Sequence, residues 1–238
     1  MDTAFLSFMA TRLSIIIPVL NEALVIQRAL QVLIQNPAIE VIVVDGGSDD
    51  RTVELAQALG VTVLQSSQAG RAYQMNLGAA HATGEILLFL HVDTQLPSGY
   101  VDLIQSALLQ PNTIAGAFNL AIDSPLRSRR LIEKLVNWRS HTLSLPYGDQ
   151  AIFLKASVFQ AIGGFADLPI MEDFELMRRL QAQGKITIIS TPVLTSDRRW
   201  QKVGVWTTTL INQLMIVGYY CGVSPQRLAQ FYRHHKTG

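Results

Sequence analysis

A chain of 238 residues with 49% hydrophobic and 16% charged side chains is long enough to bury a sizeable core, and too apolar for a disordered or highly charged binder. Its 19 basic and 18 acidic residues leave a net charge of +1, so the broad cationic field that polymeric nucleic acid requires is missing. The single cysteine, Cys221, excludes an internal disulfide or a cysteine metal cluster and leaves a cytoplasmic setting as the default.

Met1 to Ala10 lack the basic start and clean apolar core of a signal peptide and read as a loose leader. Leu13–Ile17, Val41–Val44, Val61–Leu64 and Ile86–Leu90 are short apolar, mostly β-branched runs, as expected of strands covered on both faces of a parallel sheet. Between them Glu22–Gln35, Asp50–Leu59 and Arg71–His81 carry apolar residues at helical spacing, so the first ninety residues predict alternating strand and helix. After Pro97 the alternation is lost. A helix is expected over Tyr100–Leu109, a strand over Thr113–Ile122, a basic helix from near Pro125, strands at Ala151–Leu154 and Ile186–Ile189, and a helix over Met171–Gln183. Helices over Val205–Gly222 and Pro225–His234 close the chain. The first of these is interrupted by Thr207, Thr208, Thr209, Asn212 and Gln213, so it is expected to pack on the protein or touch lipid without crossing it. The reading is one domain over 1–238, with a nucleotide-binding half at 11–97, an acceptor and catalytic half at 98–200, and closing helices at 201–238.

Asp45 ends a predicted buried strand and precedes Gly46, Gly47 and Ser48, which places its carboxylate at the edge of the sheet where open α/β folds bind ligands. Without steric obstruction it can hydrogen-bond a base or ribose; Ser48, Asp49 and Asp50 equally suit a helix cap. His91 and Asp93 fall on one side of an extended segment after Leu87–Leu90, offering nitrogen and oxygen to a divalent cation on a diphosphate. A structural role for His91 is the alternative. Glu172 and Asp173 open an amphipathic helix after Gly163, Gly164 and Phe165; they suit the helix dipole, or one of them serves as general base for an acceptor hydroxyl. Arg71, Tyr73 and Asn76 share a helical turn after Gly70 and suit a phosphate or ribose, or a solvated helix face. Arg198, Arg199 and Trp200 combine cations with an aromatic and can clamp a departing diphosphate, although an exposed charge run accounts for Arg198 equally well.

Taken together, Ser14–Glu22, Val41–Thr52, Gly70–Gly78, Leu88–Thr94 and Met171–Leu176 resemble, in that order, the motifs of glycosyltransferase family 2 from about Leu13 to Tyr232. The resemblance implies an α/β GT-A fold with a mostly parallel central sheet flanked by helices and C-terminal helices. It also implies a nucleotide-diphosphate-sugar donor, a UDP- or GDP-sugar, and a Mn2+ or Mg2+ cofactor. Donor binding falls to Pro18, Asn21, Glu22, Asp45, Gly47, Arg71, Asn76, His91, Val92, Arg199 and Trp200, metal binding to Asp93, and catalysis to Asp173 with Glu172. With Asp173 as the base of a single displacement, the resemblance implies an inverting hexosyltransferase; His91 stands where the family's metal motif has its first acid, and no glutamine precedes Arg199–Trp200 as it does in processive synthases, which implies non-processive transfer. Within the family the chain most resembles a small bacterial subgroup described as selenium-domain-associated transferases.

The acceptor is expected to be a lipid-like or small hydroxyl compound, with contact to the inner membrane surface and homo-oligomer formation both open. Two other readings stand beside transfer. A nucleotidyltransferase making an activated sugar would share the α/β domain and metal, but Pro18–Glu22 occupies the place of its glycine-rich, lysine-bearing loop. A non-catalytic nucleotide-sugar-binding scaffold would bind donor without turning it over.

Overall fold

The apolar run Leu13–Val19 forms strand β1, almost wholly buried, at the centre of the parallel part of a sheet. The computed structural model describes residues 12–68, 70–124, 127–198 and 205–236. Strands β2 (Ile39–Asp45), β3 (Thr62–Gln65) and β4 (Ile86–Phe89) alternate with helices α1 (Ile26–Leu33), α2 (Thr52–Gln57) and α3 (Arg71–His81), and β1 to β4 all pair in parallel. Beyond β4 the sheet becomes mixed. The full strand order is β3-β2-β1-β4-β7-β6-β8-β5, with β5 at Thr94–Gln95, β6 at Thr113–Asp123, β7 at Ile152–Lys155 and β8 at Lys185–Ser196. β7 lies antiparallel to both β4 and β6, and through it one sheet runs without a break from the first half of the chain into the second.

Because side chains alternate across a strand, the sheet buries two cores. Ile15, Ile17, Val41 and Leu88 face one side with Ile26 and Leu30 of α1 and Ile104 of α4 (Tyr100–Leu108). Ile16, Ile42, Val44 and Phe89 face the other with Ala72 and Met75 of α3, Phe159 of α6 (Ala156–Ala161) and Phe174 and Met177 of α7 (Glu172–Gln181). Gly78 explains how closely α3 lies on the strands: a Cβ there would sit 2.5 Å from Ile16 Cγ2 and 3.0 Å from Val44 Cγ2. Helix α5 (Arg127–Leu143) follows β6. Helices α8 (Val205–Tyr220) and α9 (Pro225–Lys236) pack together through Ile211, Met215 and Leu228.

Several elements differ from the pattern reading. α1 starts at Ile26 rather than Glu22; the N–H groups of Glu22 and Ala23 donate to the Thr52 hydroxyl and the Asp50 carboxylate, which hold this stretch against the loop after β2. β8 runs on past Ile189 to Ser196, through Pro192. A register shift between Phe118 and Asn119 of β6 accommodates this stretch, and Asn119 Nδ2 donates to the Ser190 carbonyl. α6 and β5 are too short to show a period.

Candidate active site

β1 is flanked by β2 on one side and β4 on the other, so the carboxyl ends of β1 and β4 border a topological switch point, the place where open α/β sheets bind ligands. Three loops meet there: Leu20–Glu22 after β1, Gly46–Arg51 after β2 and His91–Asp93 after β4. They are fastened to one another before any ligand arrives. Buried Gln74 of α3 donates its Nε2 to the carbonyls of Val19 and Val44, both at 2.8 Å, tying the ends of β1 and β2. Asn21, in the left-handed region at φ 55°, donates its N–H to Ser48 Oγ at 2.8 Å and accepts from the Asp49 N–H at 2.9 Å. Asp45 is 2% exposed, and its carboxylate accepts from the N–H groups of Gly47 and Ser48 and from the Ser48 hydroxyl. Asp45 thus builds the glycine loop from inside. Gly47, at φ 98°, supplies the backbone conformation that L side chains disfavour.

Glu22 and Asp93 converge on Arg198, whose guanidinium donates to Glu22 Oε2 and to Asp93 Oδ2, each at 3.0 Å. Burial pulls the Arg198 pKa down, but the hydrogen bonds to Asp93 and Glu22 outweigh it and hold the group above its ordinary value. Two carboxylates at one sheet edge make a position that attracts positive charge, here supplied by a side chain 41% exposed. Val92, expected among the donor contacts, buries its side chain in the core. Pro18 lies within β1, half-buried.

On the other side of His91 a small open cleft is lined by Arg71, His91, Gly148, Glu172 and Asp173 with Met75, Phe89, Ile152 and Phe165. Helix α7 enters it from Met171, a non-glycine residue in the left-handed region at φ 68°. Such backbone costs of order 1 kcal/mol and tends to cluster at functional sites. The turn turns the two acids to different tasks. Glu172, with a side chain 4% exposed, is paired with Arg71 Nη2 at 2.7 Å and Nε at 2.8 Å. Asp173 is half-buried; its Oδ2 accepts from the Gly148 N–H at 2.7 Å and its Oδ1 from its own helix at the Phe174 N–H.

Arg71 also meets His91 Nε2 at 3.2 Å. A guanidinium has only donors, so in this contact the ring nitrogen is the acceptor. Desolvation pulls the Arg71 pKa down, yet Glu172 and Asp173 beside it outweigh that and raise it above its usual range. Asn76, predicted to touch the donor, commits its amide to the backbone of Phe165, accepting from its N–H and donating to its carbonyl at 2.9 Å each. It positions the turn that precedes α7.

The structure therefore brings Arg71, His91, Glu172 and Asp173 around one cleft, and Asn21, Glu22, Asp45, Gly47 and Asp93 along the adjoining edge. Arg199 and Trp200 lie outside the described residues. Sequence reasoning passed over Gly148 and Gln74 and left Arg198 undecided. The only signal for Gly148 was the Pro146–Gly148 turn punctuation ahead of β7.

The curled, mixed sheet with helices on both faces is the GT-A fold of glycosyltransferases. The mannosyltransferase PcManGT from Pyrobaculum calidifontis, solved with GDP-Man and Mn2+, superposes with a TM-score of 0.62 at 23% identity, over 79% of this chain and 57% of that one. Staphylococcus aureus TarS with UDP-GlcNAc gives 0.62 at 17% identity over 79% and 59%. Glucosyl-3-phosphoglycerate synthase from Mycobacterium tuberculosis gives 0.60 at 17% identity over 92% and 82%. In sequence, residues 14–166 match glycosyl transferase family 2, and the chain belongs to that family. Among curated relatives, a 4,4'-diaponeurosporenoate glycosyltransferase of Staphylococcus haemolyticus is 34% identical over 92 residues, 35% of this chain and 24% of that protein. The uncharacterized glycosyltransferase YibD of Escherichia coli is 31% identical over 105 residues, 41% of this chain and 30% of that protein. The matches thus span less than a third of these curated relatives.

Proposed function

We propose that the chain transfers a sugar from a nucleotide-diphosphate-sugar, a UDP- or GDP-sugar, to an acceptor hydroxyl, with inversion and one sugar per encounter. The observation that carries this reading is the placement of Asp173 in the cleft, held by the Gly148 N–H, beside the switch-point edge that carries Asn21, Asp45 and Gly47. Solved relatives by fold bind GDP-Man and UDP-GlcNAc. Asn21, the Asp45-organised loop and Gly47 shape the nucleotide side, and Arg71 faces the region where diphosphate charge develops. Asp173 accepts the acceptor proton as general base. Inversion is favoured because Glu172 is neutralised by Arg71, leaving Asp173 the carboxylate of the cleft suited to a single displacement. The absence of a glutamine ahead of Arg199–Trp200 supports non-processive action. One sheet spanning both halves supports treating 1–238 as a single unit, with the donor side in 11–97, the acceptor side in 98–200 and helices in 201–238.

A divalent cation fits the donor set. Among the described residues no group of three His, Cys, Asp or Glu could hold an ion alone. Mg2+, however, is commonly bound by one or two carboxylates plus substrate phosphates, and Asp93 offers a hard oxygen beside Glu22. Asp93 would hold Mn2+ or Mg2+, which would neutralise the departing diphosphate. The test is the melting temperature of the purified protein with a panel of nucleotide-sugars, with and without Mn2+ or Mg2+, followed by detection of glycosylated product. A metal-dependent rise with one nucleotide-sugar and product formation is expected. A response to nucleoside triphosphates alone, or binding without any turnover, would overturn the reading.

A further inference from the structure

Charge is unevenly divided over the molecule. Residues 127–143 and 205–236, which make up α5, α8, α9 and the turn between the last two, hold eight of the 19 basic residues and, in Glu133, one of the 18 acidic ones. Those segments carry a net +7 inside a chain of net +1, and the rest of the molecule is correspondingly acidic. The same helices expose apolar side chains at helical spacing. On α5 these are Leu131, Leu135 and Trp138, the last 64% exposed; on α8 they are Leu210, Leu214 and Val217. The spacing i, i+4, i+7 is that of a helix face made to be covered, yet among the described residues nothing covers it. α8 packs against α5, so the two stripes lie on neighbouring helices, with exposed Arg130 and Lys134 alongside. Among the described residues no helix is long and apolar enough to cross a membrane.

Apolar stripes beside an excess of positive charge match a surface with an apolar interior and an anionic face. We propose that the exposed faces of α5 and α8 dock the protein onto an anionic lipid bilayer. The docking faces adjoin the base. Ser140 Oγ and Arg139 of α5 donate to Gln150 of the loop that carries Gly148, the partner of Asp173, and Phe174 of α7 makes edge contacts with Tyr219 and Tyr220 of α8. A bilayer lying on α5 and α8 would thus border the acceptor side of the cleft. A second copy of this chain is the competing occupant, but a face of like charge meeting itself is repelled, which disfavours it.

The experiment is cosedimentation of the full chain with phosphatidylcholine vesicles and with vesicles containing phosphatidylglycerol, at low and high salt. Binding to the anionic vesicles alone, weakened by salt, is expected. Each basic side chain near such a surface contributes about 1 kcal/mol, roughly fivefold, so R130E with K134E should reduce binding by at least about 25-fold. L135E with W138E, and separately L214E, should also release the protein, with unchanged melting temperature because these positions are exposed. No binding to either vesicle, equal binding to both, or a dimer in solution dissolved by the same substitutions would overturn the proposal. Docking does not depend on the transfer reading: the thermal response to nucleotide-sugar should be the same in these variants, so failure of one inference is separable from failure of the other.

Discussion

Along the donor edge the loops after β1 and β2 are stitched together by partners 27 to 30 residues apart, such as Asn21 with Ser48 and Glu22 with Thr52. In the acceptor cleft Arg71 reaches Glu172 across 101 residues and Asn76 reaches Phe165 across 89. In the first region the loops after β1 and β2 are joined to each other by elements close in sequence, and Asp45 closes on its own loop, with Arg198 the distant partner at that edge. The second exists only once α3, α7 and the Gly148 loop have docked, and its hydrogen bonds are concentrated on the groups proposed to do chemistry. A preformed edge suits holding a ligand, and a convergent cleft suits aiming a base.

The contrast predicts that substitutions in the cleft reduce turnover while those at the edge reduce donor binding. The largest effect is expected from Asp173→Asn, which should lower transfer by about 10³-fold, within the usual range for loss of a general base, and leave the donor-induced rise in melting temperature intact. Loss of that rise as well would remove Asp173 from the role of base. Next, Arg71→Ala leaves the Glu172 charge buried without its cation. Because Arg71 itself is half-exposed, a stability loss of about 2 kcal/mol by denaturant unfolding is expected, together with loss of transfer. Adding Glu172→Gln should recover the stability and not the activity.

Asp93→Asn should abolish whatever part of the donor response depends on Mn2+ or Mg2+ and leave the metal-free part, read by melting curves with and without the ion. An unchanged metal dependence would move the ion elsewhere. The smallest effect belongs to the stitched edge. Gln74→Leu deletes donors to the carbonyls of Val19 and Val44, but Val19 still accepts from the Gly46 N–H at 2.9 Å. A cost of about 1–2 kcal/mol is expected, with no loss of turnover at saturating donor. Abolished turnover there would mean that the edge, too, is aimed at the chemistry.

Legibility in the sequence follows the same division. β1 to β4 and α3, the latter over Arg71–His81 as its spacing predicts, were readable because period and punctuation are local properties. The pattern ends β8 at Ile189, ahead of Ser190–Pro192, and only pairing with β6, which absorbs that stretch through a register shift, keeps the strand going. Its place in the first two turns after Gly70 points Asn76 to the donor. Its actual partner, the Phe165 backbone, lies on a segment whose approach no pattern in α3 announces.

By itself, then, the sequence determined the strand-and-helix alternation of the first half, the acids at the strand ends and an acidic pair opening α7, because each follows from side chains within a few residues of one another. Which member of that pair becomes the base was decided by tertiary structure. Successive residues of a helix point about 100° apart, so only the packing of α7 against α3 and the Gly148 loop sends Glu172 under Arg71 and leaves Asp173 in the cleft. The same holds for Arg198, which reads as one cation of an exposed run until β8 brings it between Glu22 and Asp93, carboxylates 176 and 105 residues away in the chain.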